Sequence, residues 1–318
     1  MLPPHRIPTS SILKGHGGAC EVILHRHIMP RNIWKLQRWL GIGKEKIHTH
    51  AYKTIDLALT KYLSMKQKEM SRGTKLKDED KEGFDMLKFF LTQGSEIYGK
   101  TLTDQIMKGN LVGLIFGVQD TTSIALTWLF WLISKNPSVE TKIREEIQAT
   151  FPSKEGEKLR YFVNREEVSK LVYLHGALCE ALRLFPPAPI LPRTTLHPDI
   201  LPSGHHVNRK KKILFSVYAV GRMASVWGKD CLEFKPERWI SKEGGIKHEP
   251  SHKFFAFSAG PRTCPGKELG LIRMKAIAAT IIHNYHVQVI EGQSATFKAS
   301  IMLKMKHGLK AKVKKRWA

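Results

Sequence analysis

The chain has 318 residues, of which 42% are hydrophobic and 25% are charged, proportions typical of a globular protein with a sizeable core. Four cysteines stand far apart without a Cys-x-x-Cys pair, which argues for a reducing compartment and against a disulfide framework or a zinc site. Lys and Arg total 52 against 28 Asp and Glu, a net charge of +24. For most of these charges we expect a diffusely basic surface, and the specific partners that they suit are an acidic electron donor or an anionic membrane surface. No nucleic-acid-binding motif accompanies the charge, so nucleic acid is not a predicted partner.

The first part of the chain is predicted to be helical. We assign no structure to residues 1–22 and predict helices over 21–40 and 44–70. The second helix carries one apolar stripe with a four-residue repeat: Ile47, Ala51, Ile55, Leu59 and Leu63. A charged surface linker is predicted at 72–83 and a short helix at 84–91.

A long helix is predicted over 103–134, with Thr103 as its N-cap. Its apolar stretch, 111–133, is long enough to cross a membrane, but Asp120 lies near the centre. An acidic residue there costs about 2.5 to 3.5 kcal/mol on insertion scales, so we predict a buried core helix. The polar residues around Asp120 need a ligand, water or an opened helical turn as partners, unless their hydroxyls bond back to the helix backbone.

The rest of the chain alternates helices with short strands. Asn164 with Glu167 is a capping-box-like start of a helix. The other predicted elements are helices over 139–150, 173–184 and 269–284, a strand over 212–218, and two terminal antiparallel strands, 286–290 and 309–314, closed by a tight turn.

Glu180 and Arg183 lie three residues apart and therefore share one helix face. As a surface ion pair they would contribute under about 1 kcal/mol. Apolar residues surround them in the sequence, however, and a buried pair needs further hydrogen-bond partners.

A cysteine stands between two glycines and next to an arginine in the segment Phe257-Ser-Ala-Gly260-Pro-Arg262-Thr-Cys264-Pro-Gly266. Cys264 lies where a loop meets a helix N-terminus, a position that favours a thiolate. The glycines let the backbone approach a flat ligand, and the arginine can hold a carboxylate. The segment suits haem bound through sulfur; the alternative is an inert, buried cysteine at a helix start.

This segment resembles the Phe-x-x-Gly-x-Arg-x-Cys-x-Gly signature of the cytochrome P-450 haem-thiolate monooxygenases. The likeness extends to Glu180-x-x-Arg183, to Pro236-Glu-Arg238-Trp and to the acid-threonine pair Asp120-Thr121. It implies a mainly α (α+β) fold with small sheets, formed by one partial domain over 1–318. The family's membrane anchor and early helices are not found in the sequence.

The resemblance also implies residue roles. Cys264 would be the axial iron ligand of haem b, while Asp120 and Thr121 would help deliver protons to dioxygen. Glu180, Arg183 and Arg238 would form a structural triad. Val118 replaces a glycine usual in the family, which would narrow the oxygen groove. The other residues implied to hold the haem are Phe257, Gly260, Gly266 and, through its propionates, Arg262 and Arg193.

Several segments of the sequence are most similar to the plant microsomal branch that hydroxylates alkanes and fatty acyl chains. This resemblance implies insertion of one oxygen atom into a C–H bond of a long-chain apolar substrate, with electrons from NADPH through a flavoprotein reductase. Phe116 and Val118 would line the substrate pocket. Basic residues cluster around the cysteine loop in the sequence, and some of them would face an acidic reductase: Lys253, Arg262, Lys267, Arg273 and Lys275.

The expected location is the cytosolic face of the endoplasmic reticulum membrane, as a monomer. Without an anchor the chain would be soluble or peripheral. Two alternatives remain open. One is a non-catalytic, truncated haem-binding remnant, and the other is a basic binder of membrane surfaces or nucleic acid.

Overall fold

The computed structural model describes residues 9–71, 104–152 and 159–316. The predicted linker at 72–83, the helix at 84–91 and the predicted N-cap Thr103 lie outside these residues. The chain divides into two compact units, Met1–Gly117 and Val118–Ala318. Its organisation as one domain stays a prediction, and each unit is described by itself.

The first unit begins with three helices: α1 (Thr9–Ile28), α2 (Arg31–Leu40) and α3 (Gly43–Ser71). The assignment of no structure before residue 22 is wrong, because α1 begins at Thr9. The single helix predicted over 21–40 is also wrong. The chain forms two helices there, α1 and α2, with a break at Pro30. Proline lacks the N–H that a continuous helix needs, and Pro30 stands directly before the first residue of α2.

The predicted apolar stripe of α3 faces the core of the first unit, with the exception of its first residue. Ile55, Leu59 and Leu63 are buried, whereas Ile47 is exposed. The stripe packs against Met107 and Leu111 from the next described helix, α4 (Asp104–Lys135). Buried apolar area of this kind is the main source of helix stability in a folded protein.

Helix α4 matches the long helix predicted from the sequence. Among the described residues it is the one helix whose length and composition would allow it to cross a membrane. Trp128 and Leu129, however, are fully buried in the core of the second unit. The Trp128 indole Nε1 also donates to the Leu303 carbonyl at 2.7 Å, so this end of α4 has protein neighbours.

The core of the second unit is centred on a short buried helix, α7 (Val172–Leu184), in which Leu174, Ala177 and Leu178 are fully buried. Asn164 is the N-cap of the short helix that comes before α7 in the chain, as predicted. Its side chain accepts a hydrogen bond from the Glu166 N–H. The remaining helices described in this unit are α5 (Pro137–Thr150), α6 (Arg165–Ser169), α8 (Val217–Val220), α9 (Ala224–Trp227) and α10 (Lys267–Asn284).

Among the described residues, the second unit also has three small antiparallel sheets. The pairs are β1 (Ile190–Thr194) with β4 (Lys212–Ser216), β2 (Asp199–Ile200) with β3 (His206–Val207), and β5 (Tyr285–Val289) with β6 (Ala311–Lys315). The strand predicted over 212–218 ends early because Ser216 caps α8 by accepting from the Ala219 N–H. The terminal strands pair as predicted, but the tight turn is wrong, since residues 290–310 lie between them.

Candidate functional site

The cysteine segment forms a compact loop before α10. Two short 3-10 turns, Phe255–Phe257 and Gly260–Arg262, fold it back on itself, and the Cys264 N–H closes the loop by donating to the Phe257 carbonyl at 2.8 Å. Cys264 is exposed, whereas the other three cysteines are buried. Burial raises the pKa of the Cys179 thiol to about 12, so that sulfur is held neutral. Cys264 is therefore the cysteine available to a ligand.

The loop leaves room beside the sulfur. Gly260 has a φ of 65°, a left-handed conformation that favours glycine. Gly266 borders the sulfur, since a Cβ added there would lie 3.9 Å from Cys264 Sγ, an ordinary van der Waals contact. The exposed sulfur is a soft ligand that fits an iron centre such as that of haem.

Arg193 lies next to this loop although it comes from β1. Its Nη2 donates to Ser258 Oγ at 3.0 Å, and its Nη1 donates to the Pro192 carbonyl at 2.9 Å. Arg262 is exposed within the loop itself. The two guanidinium groups that could hold carboxylates are thus both at the cysteine loop.

Phe257 joins the loop to the core. Its ring makes an edge contact with Phe254, with centroids 6.0 Å apart, and Lys267 Nζ lies 5.9 Å from its centroid. Phe257 is half-buried and packs against the core cluster of the second unit. Phe257 therefore attaches the loop that carries Cys264 to the core of the second unit.

On α4, Asp120 is buried, with 8% of its surface exposed, and Lys304 pairs with it at an Nζ to Oδ2 distance of 2.5 Å. Lys304 was not predicted from the sequence, where it is the one charged residue between Ile301 and Met305. Ser123 Oγ bonds back to the Asp120 carbonyl at 3.0 Å, so the backbone-bonding alternative holds for this hydroxyl.

A cavity of about 420 Å³ lies between α4 and α10, a volume within the range of small-molecule pockets. Val118, 43% exposed, lines it together with Arg273. Neither Asp120 nor Cys264 is among the described residues that line it: Val118, Thr122, Ser123, Leu126, Arg273 and Ile277. Phe116 packs in the core of the first unit, and its predicted role in a substrate pocket stays a prediction.

Glu180 and Arg183 form a buried ion pair rather than a surface one. Arg183 Nε and Nη2 donate to the two Glu180 oxygens at 2.8 and 2.6 Å. Arg238 Nε reaches the same carboxylate at 3.3 Å. Arg183 also donates to the backbone carbonyls of three residues: Gly221, Cys231 and Glu233.

Two further partners of Glu180 were missed from the sequence. Trp239 Nε1 donates to Glu180 Oε2 at 2.8 Å, and the Lys235 N–H donates to Oε1 at 3.1 Å. The carboxylate is therefore surrounded by donors, as a buried charge requires. The adjacent Asp230 bonds with Lys235 and Arg238, and these bonds lower its pKa to about 2.

Lys275 does not belong to an exposed basic surface, so it is not one of the clustered basic residues that would face a reductase. It is 3% exposed, and its Nζ lies 3.3 Å from the Ser169 carbonyl. Burial lowers the pKa of this amine to about 8. The spacing of charges in the sequence did not reveal that this lysine is buried. Arg262, Lys267 and Arg273 are exposed.

The sequence model of the family described as Cytochrome P450 matches residues 19–313. The chain belongs to the cytochrome P450 family. Alkane hydroxylase MAH1 of Arabidopsis thaliana is 44% identical over 298 residues, which are 93% of this chain and 57% of that protein. Noroxomaritidine synthase 2 of Narcissus aff. pseudonarcissus MK-2014 is 40% identical, over 97% of this chain and 59% of that protein.

A third relative, Cytochrome P450 86B1 of Arabidopsis thaliana, is 36% identical over 95% of this chain and 54% of its own length. The chain thus spans little more than half the length of the curated relatives that it matches. The crystal structure of a cytochrome P450 (CYP102L1) superposes with a TM-score of 0.69 at 22% identity, covering 86% of this chain and 58% of that one. This likeness confirms the mainly α (α+β) P450 fold. Members of the family bind haem b.

Proposed function

We propose that this chain is the haem-thiolate portion of a monooxygenase that inserts one atom of dioxygen into a C–H bond of a long-chain apolar substrate. The observation that carries the proposal is the exposed Cys264 on a closed loop with Arg193 beside it. Thiolate-ligated haem, when bound, supplies the activation of dioxygen. The alkyl substrate class is supported by the 44% identity to a protein named alkane hydroxylase, and fatty acids share that chemistry.

The chain's own residues have distinct tasks in this proposal. Cys264 would supply the axial sulfur, and Arg193 and Arg262 would hold the two carboxylates of the haem. Gly260 and Gly266 would leave space for its flat face, and Phe257 would fix the loop. The buried network of Glu180, Arg183 and Arg238 would hold the segment that follows α9 against α7.

Asp120 would accept a proton at a carboxylate oxygen and release it again, with the Thr121 hydroxyl as its neighbour in the relay. Both lie on α4, where Asp120 is buried and Thr121 is half-buried. Removal of the carboxylate by Asp120→Asn should lower turnover about a hundredfold and leave haem binding unchanged. Equal turnover in the wild-type protein and this variant would exclude the proposed role.

The electron source in the proposal is NADPH, through a flavoprotein reductase that approaches as an acidic partner. Exposed Arg262, Lys267 and Arg273 would face it, at the cytosolic side of the endoplasmic reticulum membrane. Charge reversal by Lys267→Glu should slow reduction most at low salt, because screening weakens the interaction. Reduction that is unchanged at every salt concentration would exclude Lys267 from this surface.

The test of function is product formation by the haem-loaded chain with a plant reductase and NADPH. A long-chain alkane and a fatty acid of similar length serve as substrates, and mass spectrometry detects the hydroxylated product. We expect hydroxylation of at least one of them and none with Cys264→Ala. Haem binding without product from either substrate would instead support a non-catalytic haem-binding chain.

A further inference from the structure

Asp120 is a buried acidic side chain whose charge is balanced by a residue from the C-terminal part of the chain. Lys304 Nζ lies 2.5 Å from Asp120 Oδ2, as an ion pair without the alignment of a directed hydrogen bond. Only 11% of the Asp120 side chain is accessible, against 27% of the Lys304 side chain. A carboxylate this buried stays ionised only if a positive partner or strong donors compensate the lost solvation.

Lys304 is held in place by its neighbours on both sides. The Leu303 N–H donates to the Pro187 carbonyl at 2.9 Å, and the Leu303 carbonyl accepts from Trp128 at 2.7 Å. The flanking residues Met302 and Met305 are buried. Trp128 and Asp120 both lie on α4. The Trp128–Leu303 hydrogen bond and the Asp120–Lys304 ion pair therefore attach the same short segment to this helix.

The backbone around the lysine is also bonded. The Lys304 N–H donates to the Met302 carbonyl at 2.8 Å, and the Lys304 carbonyl accepts from the Lys298 N–H at 2.9 Å. Ser123 Oγ donates to the backbone carbonyl of Asp120 at 3.0 Å. The ammonium is thus placed at Oδ2 by a braced segment, unlike a surface lysine whose flexible side chain would lose entropy on pairing.

We propose that Lys304 is a positioning residue that keeps the Asp120 carboxylate ionised and oriented on α4. The inference rests on the proposed proton-relay role of Asp120. In that role the carboxylate takes up a proton and gives it up again, so the aspartate returns to its starting state with Oδ2 paired to Lys304. Without the ammonium, the buried carboxylate takes up a proton and keeps it.

The experiment compares Lys304→Met, Lys304→Arg and the control Lys306→Met in the 318-residue chain. Lys306 is exposed and only two residues away. The first readout needs no turnover: the pH midpoint at which the Asp120 carboxyl titrates, followed by 13C NMR and assigned with Asp120→Asn. We expect Lys304→Met to raise this midpoint by about one pH unit or more, and Lys304→Arg and Lys306→Met to leave it within a few tenths.

The second readout is turnover with the reductase. Lys304→Met should lower kcat about tenfold with little change in KM, because the loss concerns proton transfer and not substrate binding. Lys304→Arg should restore most of kcat. An unchanged midpoint, or an unchanged kcat in a protein whose midpoint has moved, would overturn the inference. If the wild-type chain shows no turnover, the proposed function fails. The pH midpoint of the Asp120 titration then decides by itself whether Lys304 positions Asp120.

Discussion

Arg183 and Glu180 are joined by two hydrogen bonds, 2.8 and 2.6 Å long, with 0% of either side chain accessible to solvent. Removal of the arginine by Arg183→Met would leave the buried carboxylate without its main partner. We expect a loss of about 3 to 5 kcal/mol in the free energy of unfolding, measured by urea denaturation.

The matched control is Lys142→Met, which breaks the ion pair between Lys142 and Glu237. This pair is also 2.6 Å long, but about half of each side chain is exposed. We expect this change to cost under about 1 kcal/mol. Similar losses for the two variants would show that burial of the Glu180 pair has no special effect on stability.

Gly176 brings α7 close to the 3-10 turn Pro236–Trp239. A Cβ at this position would lie 2.6 Å from the Pro236 carbonyl oxygen, a contact that only a backbone shift can relieve. Gly176→Ala should therefore lower the free energy of unfolding by about 1 to 3 kcal/mol. Gly113→Ala in α4, with no atom within 4 Å of the new Cβ, should instead raise it by about 0.5 to 1 kcal/mol. Stabilisation by both changes would contradict the close approach.

His175 predicts a loss of stability in acid. Burial, and secondarily the charge of Lys275, lowers its pKa from 6.5 to about 4. Between these pH values the unfolded chain binds more protons at this site than the folded protein does, so the free energy of unfolding falls as pH falls from 6.5 to 4. Allowing for partial exposure, we expect a loss of about 2 kcal/mol.

His175→Gln should remove this contribution, and the difference from the wild-type protein isolates it from other groups. One such group is Glu146, whose pKa is raised by burial and which therefore acts in the opposite direction. The control is His206→Gln on β3, an exposed histidine. Denaturation at pH 7 and pH 4.5 measures the effect, and equal acid sensitivity in His175→Gln and the wild-type protein would contradict it.

Arg193 predicts a change in haem affinity. It is half-buried beside the cysteine loop, and a hydrogen bond to a charged group contributes about 1.5 to 3 kcal/mol. Arg193→Met should therefore weaken haem binding by about tenfold or more in a spectroscopic titration. The control Arg209→Met removes an exposed arginine outside the loop and should bind haem as the wild-type protein does. Equal affinities of the two variants would place Arg193 outside the site.

Local patterns predicted much of this fold. The apolar repeat of α3 and the two ends of α7 depend on residues close together in the sequence. The structure has the apolar repeat largely buried and α7 close to its predicted bounds. The cysteine segment was recognisable because its glycines, arginine and cysteine are close together in the sequence. The start of α1 was missed because Pro3, Pro4 and the glycines at 15, 17 and 18 disfavour a helix by propensity alone.

Contacts between distant parts of the chain were not predictable in the same way. Nothing in the sequence pairs Asp120 with Lys304, because the contact depends on how residues after α10 return to α4. The burial of Lys275 likewise depends on Ser169 and Glu146 from other helices. Arg193 on β1 and Ser258 in the cysteine loop are 65 residues apart in the sequence, so their contact also depends on the tertiary fold.

The central claim is that Cys264 ligates haem, and the carbon monoxide difference spectrum of the reduced, haem-loaded chain tests it most directly. Cys264→Ala is the test variant, and Cys231→Ala, which removes a buried cysteine, is its control. We predict a strongly red-shifted Soret band in the wild-type protein and in Cys231→Ala that disappears in Cys264→Ala. Failure to bind haem, or a spectrum of histidine ligation that is the same in all three proteins, would contradict the claim.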